Sequence, residues 1–133
     1  MKNRTGAGAL SALLLTVGSM FGAWSPAFAF SLPKDHVFPR IFTPNGDGIN
    51  DVVYFNVVNP SLDSLEGKIY DANGNPVASI RFDSYLSVPG SDATERWVWD
   101  GKDGNGNTVR AGIYIYEIRG GGDVVTGTVV VAK

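Results

Sequence analysis

Two stretches of the 133-residue chain gather side-chain oxygens closely enough to surround a hard cation. In Asn45-Gly46-Asp47-Gly48-Ile49-Asn50-Asp51, the residues Asn45, Asp47, Asn50 and Asp51 put four carboxylates or amides within seven positions, the donor chemistry that calcium selects. In Asp100-Gly101-Lys102-Asp103-Gly104-Asn105-Gly106-Asn107, the residues Asp103, Asn105 and Asn107 recur at every second position, as at the start of a calcium loop. An EF-hand count fails in both registers. Counted from Asp103, Thr108 replaces the sixth-position glycine and Tyr114 the twelfth-position glutamate; counted from Asp100, Asn105 and Ala111 stand there. Calcium at either loop would therefore need a site of another kind. The same residues also suit metal-free turns, in which Asp and Asn side chains accept backbone N–H groups nearby while glycines supply positive φ.

Other chemistry has less to draw on. The single histidine, His36, follows Asp35 near the start of the exported part, where chains are ordinarily exposed. No G-x-S-x-G turn presents a serine nucleophile, and one histidine without cysteine does not make a zinc site. We expect no enzyme. Tyr54, Tyr70, Tyr85 and one tryptophan are candidates for an exposed, glycan-facing platform. Trp97 and Trp99 share one face of a strand and Tyr114 and Tyr116 one face of another, which favours core pairing for those four.

The elements that must position these residues read as strands. Asp51 to Val58 puts Val53, Phe55 and Val57 on one face before Asn59-Pro60-Ser61 ends the run. Leu65 to Asp71 and Val77 to Phe82 flank Ala72-Asn73-Gly74-Asn75-Pro76, whose Asn-Gly pair predicts a hairpin. Ser84 to Ala93 reads as a connection turning at Pro89-Gly90. Strands follow at Thr94 to Trp99, Ile113 to Arg119 and Val124 to Val131, and Val37 to Phe42 adds an edge strand. Helical periodicity is absent outside the amino-terminal segment. Seven short antiparallel strands predict an all-β fold, an immunoglobulin-like sandwich without the cysteine pair of antibody domains.

The amino-terminal segment has the pattern of a secretory signal peptide. Lys2 and Arg4 precede the apolar run Ala9 to Val17, and Ala27-Phe28-Ala29 forms an A-x-A cleavage site. Gly18, Ser19, Gly22, Ser25 and Pro26 interrupt the run that a retained transmembrane anchor would need. We expect residues 1–29 to be removed and residues 30–133 to form one domain. The leader carries two of the 11 basic residues and none of the 13 acidic ones, so the remainder has a net charge of 9 − 13 = −4. Bulk charge therefore offers nothing to nucleic acid or to an anionic membrane. With no cysteine, stability must come from an apolar core.

Two runs of residues carry a family likeness. Trp99-Asp100-Gly101-Lys102-Asp103, Gly106-Asn107 and Ala111-Gly112-Ile113-Tyr114 resemble the signature of the immunoglobulin-like domain of flagellar hook-capping proteins, which also recurs in C-terminal domains of secreted bacterial proteins. Phe42-Thr43-Pro44-Asn45-Gly46-Asp47-Gly48-Ile49-Asn50-Asp51 resembles the opening of gliding-motility-associated C-terminal domains, the sorting modules of type IX secretion. Gly127 to Lys133 is similar to the closing strand of such domains. The resemblance gives Trp99, Asp100, Gly101, Asp103, Gly106, Asn107, Gly112 and Tyr114 signature roles, and the hook-capping likeness implies a capping or assembly role for the β-sandwich.

Because the module directly follows the leader, we place first an exported module for protein–protein interaction or assembly at the cell envelope or a surface appendage. A type IX sorting and surface-attachment domain is the second expectation, and calcium-dependent adhesion or glycan binding the third. The implied partner is an envelope, appendage or secretion-system protein, and the implied location is periplasmic, cell-surface or extracellular. The apolar, weakly charged segment Val124 to Val131 would invite strand addition if it lay at a sheet edge.

Overall fold

Strict alternation builds the core. In Val53–Val58, Val53, Phe55 and Val57 are fully buried while Tyr54, Asn56 and Val58 are half-exposed, the period of two that a strand with one inward face requires. A computed structural model describes residues 29–86 and 94–133. The expected leader, apart from Ala29, and the Pro89-Gly90 turn lie outside the described residues. A 3₁₀ turn at Lys34–His36 is followed by eight strands: β1 (Val37–Phe38), β2 (Ile41–Phe42), β3 (Val53–Val58), β4 (Glu66–Asp71), β5 (Pro76–Tyr85), β6 (Thr94–Trp99), β7 (Gly112–Gly120) and β8 (Asp123–Val131).

The ladder runs β1-β3-β6-β5-β4-β7-β8-β2 and forms two sheets that share β5. Gly67 to Tyr70 of β4 pair with Ile80 to Pro76 of β5, whereas Arg81 to Tyr85 pair with Val98 to Glu95 of β6. Thus β5 belongs to the β5-β4-β7-β8-β2 sheet before Arg81 and to the β1-β3-β6-β5 sheet after it. The inner faces enclose Phe30, Phe42, Phe55, Ile69, Trp99, Tyr114, Tyr116, Ile118, Val129 and Val131. Each large apolar side chain taken from water there contributes roughly 1.5–3 kcal/mol, which supplies the stability that disulfides cannot.

The immunoglobulin-like sandwich follows the expectation, with two differences. The expected edge strand Val37 to Phe42 is two strands, because the chain changes sheet across Pro39-Arg40: Val37 pairs antiparallel with Phe55, and Ile41 and Phe42 pair with Val130 and Val131. The β2–β8 pairing is parallel, so the set is not wholly antiparallel. The hairpin at Asn73-Gly74 forms as expected, although its second arm runs on to Tyr85. Among the described residues no helix is long and apolar enough to cross a membrane.

Candidate functional site

The two signature runs meet at one end of the sandwich. Phe42 leaves β2 edge-on to Trp99, with ring centroids 5.5 Å apart, and Trp99 lies 5.4 Å from the Tyr114 ring. The Trp99 indole N–H donates to the Lys102 carbonyl at 2.9 Å, and the Tyr114 hydroxyl donates to the Arg110 carbonyl at 2.7 Å. These two bonds let both polar ring atoms sit inside an apolar cluster without loss. Burial pushes the Tyr114 phenol above its ordinary pKa, with the nearby Arg110 charge opposing the shift. Gly101, at φ 74°, has Pro44 directly against it: a β-carbon there would lie 2.7 Å from Pro44 Cγ and 3.2 Å from a Phe42 ring carbon.

The Asn45–Asp51 loop wraps around the Asp51 carboxylate. Oδ1 accepts the N–H groups of Asn45 and Gly46 at 3.1 and 2.8 Å, and Oδ2 accepts that of Gly48 at 2.5 Å. Asn45 Oδ1 accepts from Asp47 N–H and Asp47 Oδ1 from Ile49 N–H, at 3.1 and 2.8 Å. Asn50 holds a left-handed φ of 53°, and its carbonyl accepts the Thr43 N–H at 2.7 Å. Desolvation alone would raise the Asp51 carboxyl, but the backbone donors of Gly48, Gly46, Asn45 and Asp47 outweigh it and hold the group below the usual carboxylate range. All four residues considered for calcium thus shape the loop's own backbone.

The second oxygen-rich loop has a twin. Asp71-Ala72-Asn73-Gly74-Asn75 and Asp103-Gly104-Asn105-Gly106-Asn107 share the pattern D-x-N-G-N and one conformation. Asp71 Oδ1 accepts from Asn73 and Asn75 N–H, both at 2.9 Å, and Asp103 Oδ1 accepts from Asn105 and Asn107 N–H at 2.9 and 3.0 Å. The Asp71 and Asp103 N–H groups donate to the Asn75 and Asn107 carbonyls at 2.9 and 2.8 Å, and Gly74 and Gly106 both take φ 86°. Hydrogen bonds from Asn75 first, and then Asn73 and Gly74, hold the Asp71 carboxyl below its ordinary value against desolvation. The loops sit side by side, joined by a bond from Gly104 N–H to the Val77 carbonyl at 3.0 Å.

Asp103, Asn105 and Asn107 are therefore together, but Asp103 faces its own backbone. Among the described residues no three His, Cys, Asp or Glu side chains group as a metal site. His36 Nδ1 is 3.0 Å from the Asn56 carbonyl, and Asp100 accepts the Lys102 N–H at 3.1 Å while pairing with Arg81 at 3.7 Å. The aromatics considered for a glycan face are separated. Tyr54 stacks under Arg96, 4.7 Å from its ring centre, on the outer face of one sheet; Tyr70 donates to Glu117 on the outer face of the other, at 3.1 Å. Tyr85 packs edge-on to Phe82, which meets Trp97 in the same way.

Two features escaped the residue patterns. Asn59 and Glu95 are buried inside the sandwich at 0% and 5% exposure: Asn59 Nδ2 donates to Glu95 Oε2 at 2.9 Å, and the Trp97 indole N–H to Glu95 Oε1 at 3.0 Å. A signal was present, since Glu95 shares a strand face with Trp97 and Trp99. The other is the amino-terminal segment, where Phe30 is buried and Ser31 pairs with Val58 through two 2.9 Å bonds.

The last strand also shows what it offers. β2 lies beside only Val130 and Val131, and the Arg40 guanidinium covers the Thr128 carbonyl at 2.8 Å. Val130 and Ala132 direct their N–H groups towards β2, so the alternation of an antiparallel strand turns those of Val124, Thr126 and Thr128 outward on the same side. Among the described residues no strand flanks Val124 to Gly127 there. A groove of about 440 Å³ follows this edge, between Leu32, Lys34 and Arg40 on one side and Val125 to Thr128 on the other.

Two sheets joined through a switching strand, with hydrogen-bonded loops at one end and a terminal strand uncovered along part of one edge, define an immunoglobulin-like β-sandwich module. Within that class, the chain belongs to the CHU_C type IX secretion signal domain family, whose model matches residues 36–128. That match spans both the Phe42–Asp51 opening and the Trp99–Tyr114 signature. None of the curated proteins compared with the chain is significantly similar to it.

Proposed function

We propose that this chain is an exported β-sandwich sorting module, recognised by a type IX secretion apparatus through the open edge of β8. Family membership over residues 36–128 carries the sorting role and moves it ahead of a general assembly role. The edge supports the mode of recognition: an extended partner segment adding to Val124–Gly127 would satisfy outward backbone groups, and Lys34 and Arg40 across the groove would favour acidic side chains on it. An envelope or appendage partner adding a strand at the same edge is the second reading.

Deleting the last strand would not test this, because Val129 and Val131 are core residues and β8 pairs with β7 along its whole length. Thr126→Pro is the better probe, since it removes one outward N–H at an exposed edge position. The module is fused to a reporter enzyme in a bacterium that has a type IX apparatus, and extracellular reporter is measured. The reading requires T126P to fold, by circular dichroism and melting, and to leave the reporter in the periplasm. A folded T126P fusion exported as well as the parent would rule out recognition at the edge. If the parent module itself fails to export the reporter, the sorting role falls.

A further inference from the structure

We propose that Asp63 and Asp123 form a receiving site for the α-ammonium group created at Phe30 when the leader is removed, so that processing locks the first strand segment into the sandwich. The inference rests on the leader reading of residues 1–29. It concerns the bond between Ala29 and Phe30.

The segment after this bond is already part of the fold. The Phe30 ring is 2% exposed, and the reciprocal bonds of Ser31 with Val58 fix the next residue beside β3. Phe30 and Leu32 belong to the core, although both precede the stretch that defines the family. No slack separates the A-x-A site from the sandwich.

The surroundings of the bond are anionic. The Ala29 N–H donates to Asp123 Oδ2 at 2.6 Å. A β-carbon on Gly121 would collide with Ala29 Cβ and lie 2.9 Å from Asp63 Oδ2, so both residues flank one turn between β7 and β8. Asp63 is held there from inside the protein: buried Asn59 donates to its carbonyl at 2.9 Å and accepts its N–H at 3.1 Å, and Glu95 anchors Asn59. Neither carboxylate takes part in an ion pair among the described residues, and Arg119 nearby is paired with Glu117 at 2.9 Å.

Cleavage by a signal peptidase supplies the missing cation. Water adds across the Ala29–Phe30 amide: its hydroxyl completes the Ala29 carboxyl group, which departs with the leader, and its proton goes to the Phe30 nitrogen, which takes a second proton from solvent to become an ammonium. That nitrogen starts within about 4 Å of the Ala29 nitrogen it replaces as a donor. The buried ring keeps it there, and a small swing of the freed end reaches Asp123.

The test compares three chains ending at Lys133: one starting at Phe30 with a free amine, one starting at Phe30 with an acetylated amine, and one extended by Gly-Ser-Ala29. The free-amine chain is expected to melt roughly 2–5 °C above both others at low salt, and the advantage to disappear in D123N and shrink in D63N. Equal melting of the three chains, or an advantage that survives D123N, would overturn the proposal. Sequencing the exported protein is expected to give Phe30 as its first residue; any other amino terminus overturns the leader premise, independently of the sorting test.

Discussion

Pro44 packs against Gly101 with no room for a side chain between them, since a β-carbon on Gly101 would lie 2.7 Å from Pro44 Cγ. The contact joins the loop after β2 to the loop after β6, and so connects the two runs by which the family is recognised. Glycine meets two demands there at once: it accepts φ 74° and it leaves space for the proline ring.

Gly101→Ala should therefore cost more than a backbone effect alone. We expect a loss of about 2–4 kcal/mol in urea denaturation, against about 1 kcal/mol for Gly74→Ala, where φ is also positive but nothing lies within 4 Å. Equal losses would mean that Pro44 yields without cost.

Glu95→Ala should destabilise by about 2–4 kcal/mol, because it removes the acceptor of one Asn59 amide N–H and of the Trp97 indole N–H, while Asn59 keeps its bonds to Asp63. Glu95→Gln keeps one acceptor and should lose less than half of that. Chemical denaturation of both variants decides it, and a larger loss in Gln than in Ala would contradict the hydrogen-bond account.

Asp51 and Asp71 set an acid limit. Both are held below the ordinary carboxyl value, so their contribution is present above that ordinary value and is lost as pH falls through the depressed folded values. Asp51→Asn should lower the melting temperature at pH 7, and the gap to the parent should stay constant down to about pH 5 and close below about pH 4. A gap that widens in acid would show that the carboxylate is not held by its backbone donors.

Calcium should leave the melting temperature unchanged in chelator-treated protein. Both Asp51 carboxylate oxygens and Asp103 Oδ1 already accept backbone N–H groups, and a cation bound through them would compete with those bonds. A rise that saturates with calcium and vanishes in Asp103→Asn would restore a metal role to that loop.

Much of this protein is legible in its residues. The alternation in Val53–Val58, the Asn-Gly turn before β5 and the paired faces of Trp97/Trp99 and Tyr114/Tyr116 determine strands, hairpin and core, because burial on a pleated strand has a period of two wherever the strand lies. The D-x-N-G-N runs likewise determine their own loops, since the carboxylate bonds N–H groups only two and four residues away. Tertiary structure alone decided the contacts between distant segments. That β5 changes sheets after Ile80, that β2 runs parallel to β8, that Pro44 lies on Gly101, and that Asp63 and Asp123 converge on Ala29 all depend on how two sheets fold over one core. Local patterning fixes which face of a strand is buried, but it is the packing of one face against the other that selects neighbours in space.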